Sequence, residues 1–222
     1  MYRSKSCALF LLTLFTLAVM ITPAYSATIT TYSDSASWLA ATTGDQLDDF
    51  EGYAPSGNYT TYPGGIFQNG VEFIGLSGTT GVMDTTMAPY HNFGTGDAGF
   101  VTGGTDVRIT LSSPVTAFAI NLFTNPPNLT YTVTTLSTPF SVPTFAAPTP
   151  AFFGITSDTA FSTIDLGVPT GSTYAFFDNF QWGTAQAGQQ GQGQVPEAGT
   201  FLMIGTGLMG FAVFRRKVRQ PR

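Results

Sequence analysis

Tyr53, Tyr59 and Tyr62 fall within GYAPSGNYTTYPGG, a stretch otherwise built from Gly, Ala, Pro, Ser, Asn and Thr. Flat phenol rings stack on pyranose faces while amides and hydroxyls bond to sugar hydroxyls, so this loop is a candidate glycan contact. Tyrosines in a loop also serve simply to cover the end of a β-sandwich, and the sequence leaves both roles open. Just upstream, Asp45, Asp48, Asp49 and Glu51 crowd one segment. Two carboxylates suffice for glycoside hydrolysis, and twelve lie between Ala27 and Gln194, but no spacing picks out a pair. His91 is the single histidine, in PYHNFGTGD, and no G-x-S-x-G nucleophile elbow accompanies it. The two G-x-G-x-x-G matches, beginning at Gly94 and Gly205, lack the strand–turn–helix setting that a dinucleotide site needs. Catalytic chemistry therefore has no sequence anchor, and the chain reads as a binding or structural protein, with a secreted carbohydrate-active hydrolase using two carboxylates as the alternative.

The elements that must position these groups are short and alternating. Residues 27–182 are rich in Thr, Phe, Gly and Pro and poor in helix formers. TDVRITLSS sets Val107, Ile109 and Leu111 against Arg108 and Thr110, and VTAFAINLF sets Phe118, Ile120 and Leu122 against Ala117, Ala119 and Asn121. LTYTVTT and FSTIDLG repeat the pattern, and LDDFEG, VEFIGL, AFFGI and TYAFFDNFQW are further expected strands. One short helix is expected in SDSASWLAATTGD, capped by Asp34 or Ser35 with Trp38 and Leu39 as its apolar side. These features predict an all-β fold, a single jelly-roll-like antiparallel β-sandwich with one short N-terminal helix, because a single layer would leave the abundant Phe exposed.

Charge is segregated along the chain. Seven of the eight Lys and Arg residues sit at the two ends, and between Ala27 and Gln194 only Arg108 is basic, giving that span a formal charge of about −11. Such a surface repels phosphates, which excludes nucleic acid as a partner. At the N-terminus, Arg3 and Lys5 precede the uncharged run Ala8–Ile21, and Ala24 and Ser26 supply small residues before Ala27. That is the layout of a signal peptide over residues 1–26. Cys7, the sole cysteine, would leave with it, so the mature protein would have no disulfide. At the other end, GTAQAGQQGQGQ (183–194) reads as a flexible tether. After it, residues 199–214 carry no charge and are followed at once by Arg215, Arg216 and Lys217. As a helix that run would be roughly 24 Å long, marginal against a hydrocarbon core of about 30 Å unless the flanking cations snorkel. The basic cluster is expected on the cytoplasmic side, with everything between the two apolar segments outside.

Val195, Pro196 and Glu197, then a short glycine-bearing apolar run, then an arginine cluster, together resemble the PEP-CTERM sorting signal of Gram-negative bacteria. The third motif position holds Ala198 where that family has proline. The resemblance, which covers 195–222, implies processing by an exosortase-type enzyme and transient inner-membrane anchoring, with delivery afterwards to the cell surface or exopolysaccharide matrix. A plain single-pass tail anchor is the simpler alternative. Pro196 suits the first turn of a helix, and Glu197 complements its positive end. Asp49-Phe50-Glu51 early and Asp178-Asn179-Phe180-Gln181-Trp182-Gly183 late also resemble, more loosely, the galactose-binding-like sandwiches found ahead of such tags.

Strict alternation would place Tyr174, Phe176, Phe180 and Trp182 on one face with Asp178 among them, aimed into the core. An unpaired charge there is costly. A bulge, a hydrogen-bond network or a metal must relieve it. The resemblance to galactose-binding-like sandwiches implies a structural calcium between an early and a late strand, with Glu51 and Asp178 as its candidate ligands; a solvated acidic edge with one hydrogen-bonded Asp is the other outcome.

Overall fold

From Val107 the chain stays extended through Asn125, past Ser112-Ser113-Pro114, where two separate strands were expected to part. This computed structural model describes residues 27–84, 98–145, 149–172 and 174–186. In chain order the elements are β1 (Ile29–Tyr32), α1 (Ser35–Ala40), β2 (Thr42–Asp48), β3 (Tyr59–Thr61), β4 (Ile66–Gln68), β5 (Val71–Gly75), β6 (Thr80–Asp84), β7 (Ala98–Thr102), β8 (Val107–Asn125), β9 (Thr130–Thr135), β10 (Thr138–Pro143), β11 (Ala151–Gly167) and β12 (Tyr174–Ala185). The segment expected as LDDFEG is a strand only to Asp48, and a turn comes after it. AFFGI and FSTIDLG, expected apart, are the two halves of β11.

The fold is a jelly-roll-like antiparallel β-sandwich whose two layers share their longest strands. The first half of β8 lies between β5 and the last residues of β11, with β9 and β10 continuing that layer. Its second half lies between the first half of β11 and β12. β1 edges this second layer, while β2 and then β7, β6 and β3 extend it beyond β12. The crossing from one layer to the other falls where β11 bulges between Thr156 and Thr163, opposite Val115 to Thr110. Pro114 has no N–H to give a ladder, and it sits in that interruption, where none is required.

Phenylalanine fills the space between the layers. Phe73 of β5 meets Phe177 and Phe180 of β12 at 5.9 and 5.5 Å between ring centroids, although the two strands are not paired. Phe50, from the turn after β2, wedges among Phe73, Phe100 and Phe177. Tyr131 is also buried here; its hydroxyl donates to the carbonyls of Phe123 and Phe176, tying one layer to the other. Burial pushes the Tyr131 hydroxyl far above the usual phenol range.

The helix covers the outer face of the second layer. Asp34 is its cap and accepts from Ser37 N at 2.8 Å, a bond that holds its carboxyl below the usual range. Trp38 is fully buried against Ala117 and Ala119, with its indole N–H donating to Ile155 O at 3.0 Å. Leu39, expected beside it, is 45% exposed, so the apolar side of this helix is one residue wide. At the far end, β12 runs through Ala185 and Gln186 bonds to Ala41 and Thr42. Gly183–Gln186, expected at the head of the tether, are thus held in the sandwich.

Candidate functional site

A single backbone irregularity decides which residues of β12 face inward. Between Asp178 and Gln181 the pairing with β8 shifts register, and Asn179 takes a positive φ of 48°. Phe177 lies before this bulge and Phe180 and Trp182 after it, and all three belong to the main core. Tyr174 and Phe176 point out through the opposite face, where they join Met83, Val101 and Phe123 in a separate apolar cluster. The single aromatic face expected from alternation is therefore split in two.

Asp178 leaves the core by the same device. It remains buried, 2% exposed, and accepts from Asn179 N at 2.6 Å and Asn179 Nδ2 at 3.2 Å. Its Cβ lies 3.8 Å from where a Gly99 side chain would begin, while Glu51 accepts from the neighbouring Ala98 N at 3.1 Å. Both expected calcium ligands thus border the start of β7. Among the described residues no three His, Cys, Asp or Glu side chains converge on one point. His91 lies outside the described residues.

The three loop tyrosines separate. Tyr53 and Tyr62 pack edge to face at 5.9 Å on the rim of the core, with the Tyr62 hydroxyl donating to Tyr53 O at 2.6 Å. Tyr59 goes elsewhere. Its ring lies over Gly81, where a Cβ would come within 2.7 Å of ring carbons, so a larger residue there would push the phenol aside. With Tyr174 it walls a pocket of about 360 Å³ on the outer face of β12, β7 and β6, floored by Met83, Val101 and Phe176. Burial first, and then the neighbouring Tyr174, raise the Tyr59 hydroxyl above its ordinary range. Two phenols facing an apolar floor can stack on a flat ring and bond to its hydroxyls. Tyr174 was legible only as a core aromatic, because the bulge that turns it outward depends on the backbone at Asn179.

A second, wider groove of about 590 Å³ opens between β1, β10 and the start of β11, lined by Tyr32, Phe140, Phe145 and Phe152 among others. No carboxylate is among the described lining residues of either cavity. Arg108, the one cation among the described residues, is held by Asp165 in a two-pronged pair at 2.7 and 3.1 Å.

Residues 194–217 match the family model of the PEP-CTERM protein-sorting motif. No curated protein matches the chain. Among solved structures, the chain is similar to a mutant family 29 carbohydrate-binding module used to probe ligand recognition, at 14% identity and a TM-score of 0.35 over 57% of this chain and 94% of that one. It is also similar to a family 29 carbohydrate-binding module at 12% identity and a TM-score of 0.34, over 57% of this chain and 90% of that one. The matched motif marks this chain as an exported protein that carries a PEP-CTERM sorting signal at residues 194–217.

Proposed function

We propose that this is a non-enzymatic surface or matrix protein, delivered by its C-terminal signal and contacting neutral exopolysaccharide through the Tyr59–Tyr174 pocket. In this reading the signal peptide starts export and the apolar run 199–214 holds the chain in the inner membrane. An exosortase-type enzyme then acts at Val195–Glu197, and the tether leaves the sandwich free to reach its ligand. The sorting motif at 194–217 is the observation that carries the reading. Tyr59 and Tyr174 over an apolar floor support contact with sugar rings, and the lack of carboxylates among the described lining residues favours binding over two-carboxylate hydrolysis. The charge balance selects the ligand. With Arg108 occupied by Asp165, the described sandwich has no free cation for a uronate or sulfate, so the glycan is neutral.

Mass spectrometry of the C-terminus of the native protein tests the sorting half. The expected mature form has lost residues 1–26 and the charged tail and is recovered from the surface or medium. An intact 222-residue chain in the cytosol overturns it.

A further inference from the structure

Asp48 ends β2, and Gln68 ends β4, in the opposite layer. Their side chains meet between the layers: Gln68 Nε2 donates to Asp48 Oδ1 at 2.6 Å, and Phe50 N donates to the same oxygen at 3.2 Å. Asp48 is completely buried. Two acceptors of this pair, Asp48 Oδ2 and Gln68 Oε1, are buried without a partner. Orphaned buried acceptors are rare and costly. They are the second oxygen of a carboxyl and the carbonyl oxygen of a primary amide, two groups already joined through the amide nitrogen. One proton on Asp48 Oδ2, donated to Gln68 Oε1, would close the ring that a carboxylic acid and an amide form side by side, and satisfy both atoms at once.

We propose that Asp48 and Gln68 form a proton-dependent clasp between the two layers, closed when Asp48 takes up a proton from solvent and opened when it releases it. The surroundings favour the protonated form. Burial raises the Asp48 carboxyl to about 6, and Asp49 adds to the rise, while the bonds from Phe50 N and Gln68 oppose it. Tyr53 is the other titratable group that feels Asp48. β12 presents Phe180 opposite Asp48 in register, and Gln68 itself is neutral. The one cation of the described residues, Arg108, is paired to Asp165.

A carboxyl that binds its proton more tightly when folded contributes stability below its unfolded value and loses it as pH rises through its folded value. Asp34 and Asp158, whose carboxyls are lowered by hydrogen bonds, act in the opposite sense and below the ordinary carboxylate range, outside the window of the clasp.

The test is the melting temperature of the full-length chain in detergent between pH 4.5 and 7.5, for wild type, Asp48→Asn and Gln68→Leu. Asn is the neutral isostere of the protonated acid, and its amide can still pair with Gln68. Wild type should melt lower as pH rises through about 6. Asp48→Asn should lose that fall and melt at least as high as wild type at pH 7.5, and Gln68→Leu should melt lower than wild type at pH 4.5. Comparison with Asp48→Asn separates the contribution of every other titrating group. An Asp48→Asn chain that keeps the full wild-type slope, or melts below wild type at pH 7.5, overturns the clasp. Should that variant fail to fold, carbon-13 titration of the wild-type Asp48 carboxyl decides. A midpoint near 6 supports the clasp, and one at the ordinary carboxylate value overturns it.

Discussion

Tyr59 and Tyr174 belong to segments more than a hundred residues apart in sequence, and each reaches the outer pocket for a local reason. Gly81 leaves room for one ring; the bulge at Asn179 turns the other away from the core. Neither ring carries the main core, so truncation should separate binding from folding. Tyr59→Ala and Tyr174→Ala are each expected to weaken retention by neutral polysaccharide in affinity electrophoresis by roughly tenfold or more, as expected for loss of one stacking aromatic from a contact of this kind. Tyr62→Ala, which removes a hydroxyl bonded to Tyr53 O on the core rim, should leave retention unchanged. Retention that survives both pocket substitutions clears the pocket of a role. Tyr59 was already visible as a candidate in the sequence, because an aromatic among Gly, Asn and Ser stands out. Tyr174 was not, since alternation alone assigned it to the core. Asp48 was similarly hidden among three neighbouring carboxylates, and only its burial distinguishes it. Its shift from 3.8 to about 6 makes the folded state less stable above pH 6 than below 4, by at most about 3 kcal/mol.

At the scale of elements, α1 shows how a short helix acquires a fixed place. Six residues are too few to be stable alone, and Trp38 is what anchors them. Gly154, Ala117 and Ala119 keep the outer face of the second layer flat beneath the indole, and a Cβ at Gly154 would approach the Trp38 ring to 2.6 Å. Trp38→Ala is expected to destabilise the protein by about 3–5 kcal/mol, and Gly154→Ala by about 1–3 kcal/mol through overpacking. Denaturant midpoints measure both. A Gly154→Ala midpoint equal to wild type would mean that the indole moves freely aside. The helix, its Asp34 cap and most strand positions were legible because capping and period-two alternation are local properties. The joining of TDVRITLSS to VTAFAINLF was not. Ser-Ser-Pro normally signals a turn, and its tolerance in β8 depends on an interruption in β11 some forty residues later. The inward swing of Phe180 and Trp182 depends likewise on one left-handed residue, Asn179.

At the scale of the whole molecule, the charge distribution ties the sandwich to its address. The span from Ala27 to Gln194 holds twelve carboxylates and a single arginine, which pairs with Asp165, while the cations cluster at the two ends. A body with this charge stays soluble and apart from its copies once exported. In the proposed function the tail has the opposite task. As a helix, the uncharged run of sixteen residues, 199–214, would fall short of the hydrocarbon thickness, so the anchoring proposed above would depend strongly on the residues at its C-terminal edge. In that proposal Arg215, Arg216 and Lys217 would supply the hold, because moving three cations through the bilayer interior is far more costly than leaving them on the cytoplasmic side. Replacing all three with Gln should therefore disturb retention before it affects folding, since none of the three belongs to the described sandwich, whose last described residue is Gln186. The expected outcome is chain that escapes to the periplasm or medium with residues 195–222 still attached, read by fractionation and mass spectrometry of the C-terminus. A replaced chain that is trimmed and delivered like wild type would remove the electrostatic stop from the sorting mechanism and leave the Val195–Glu197 motif to act alone.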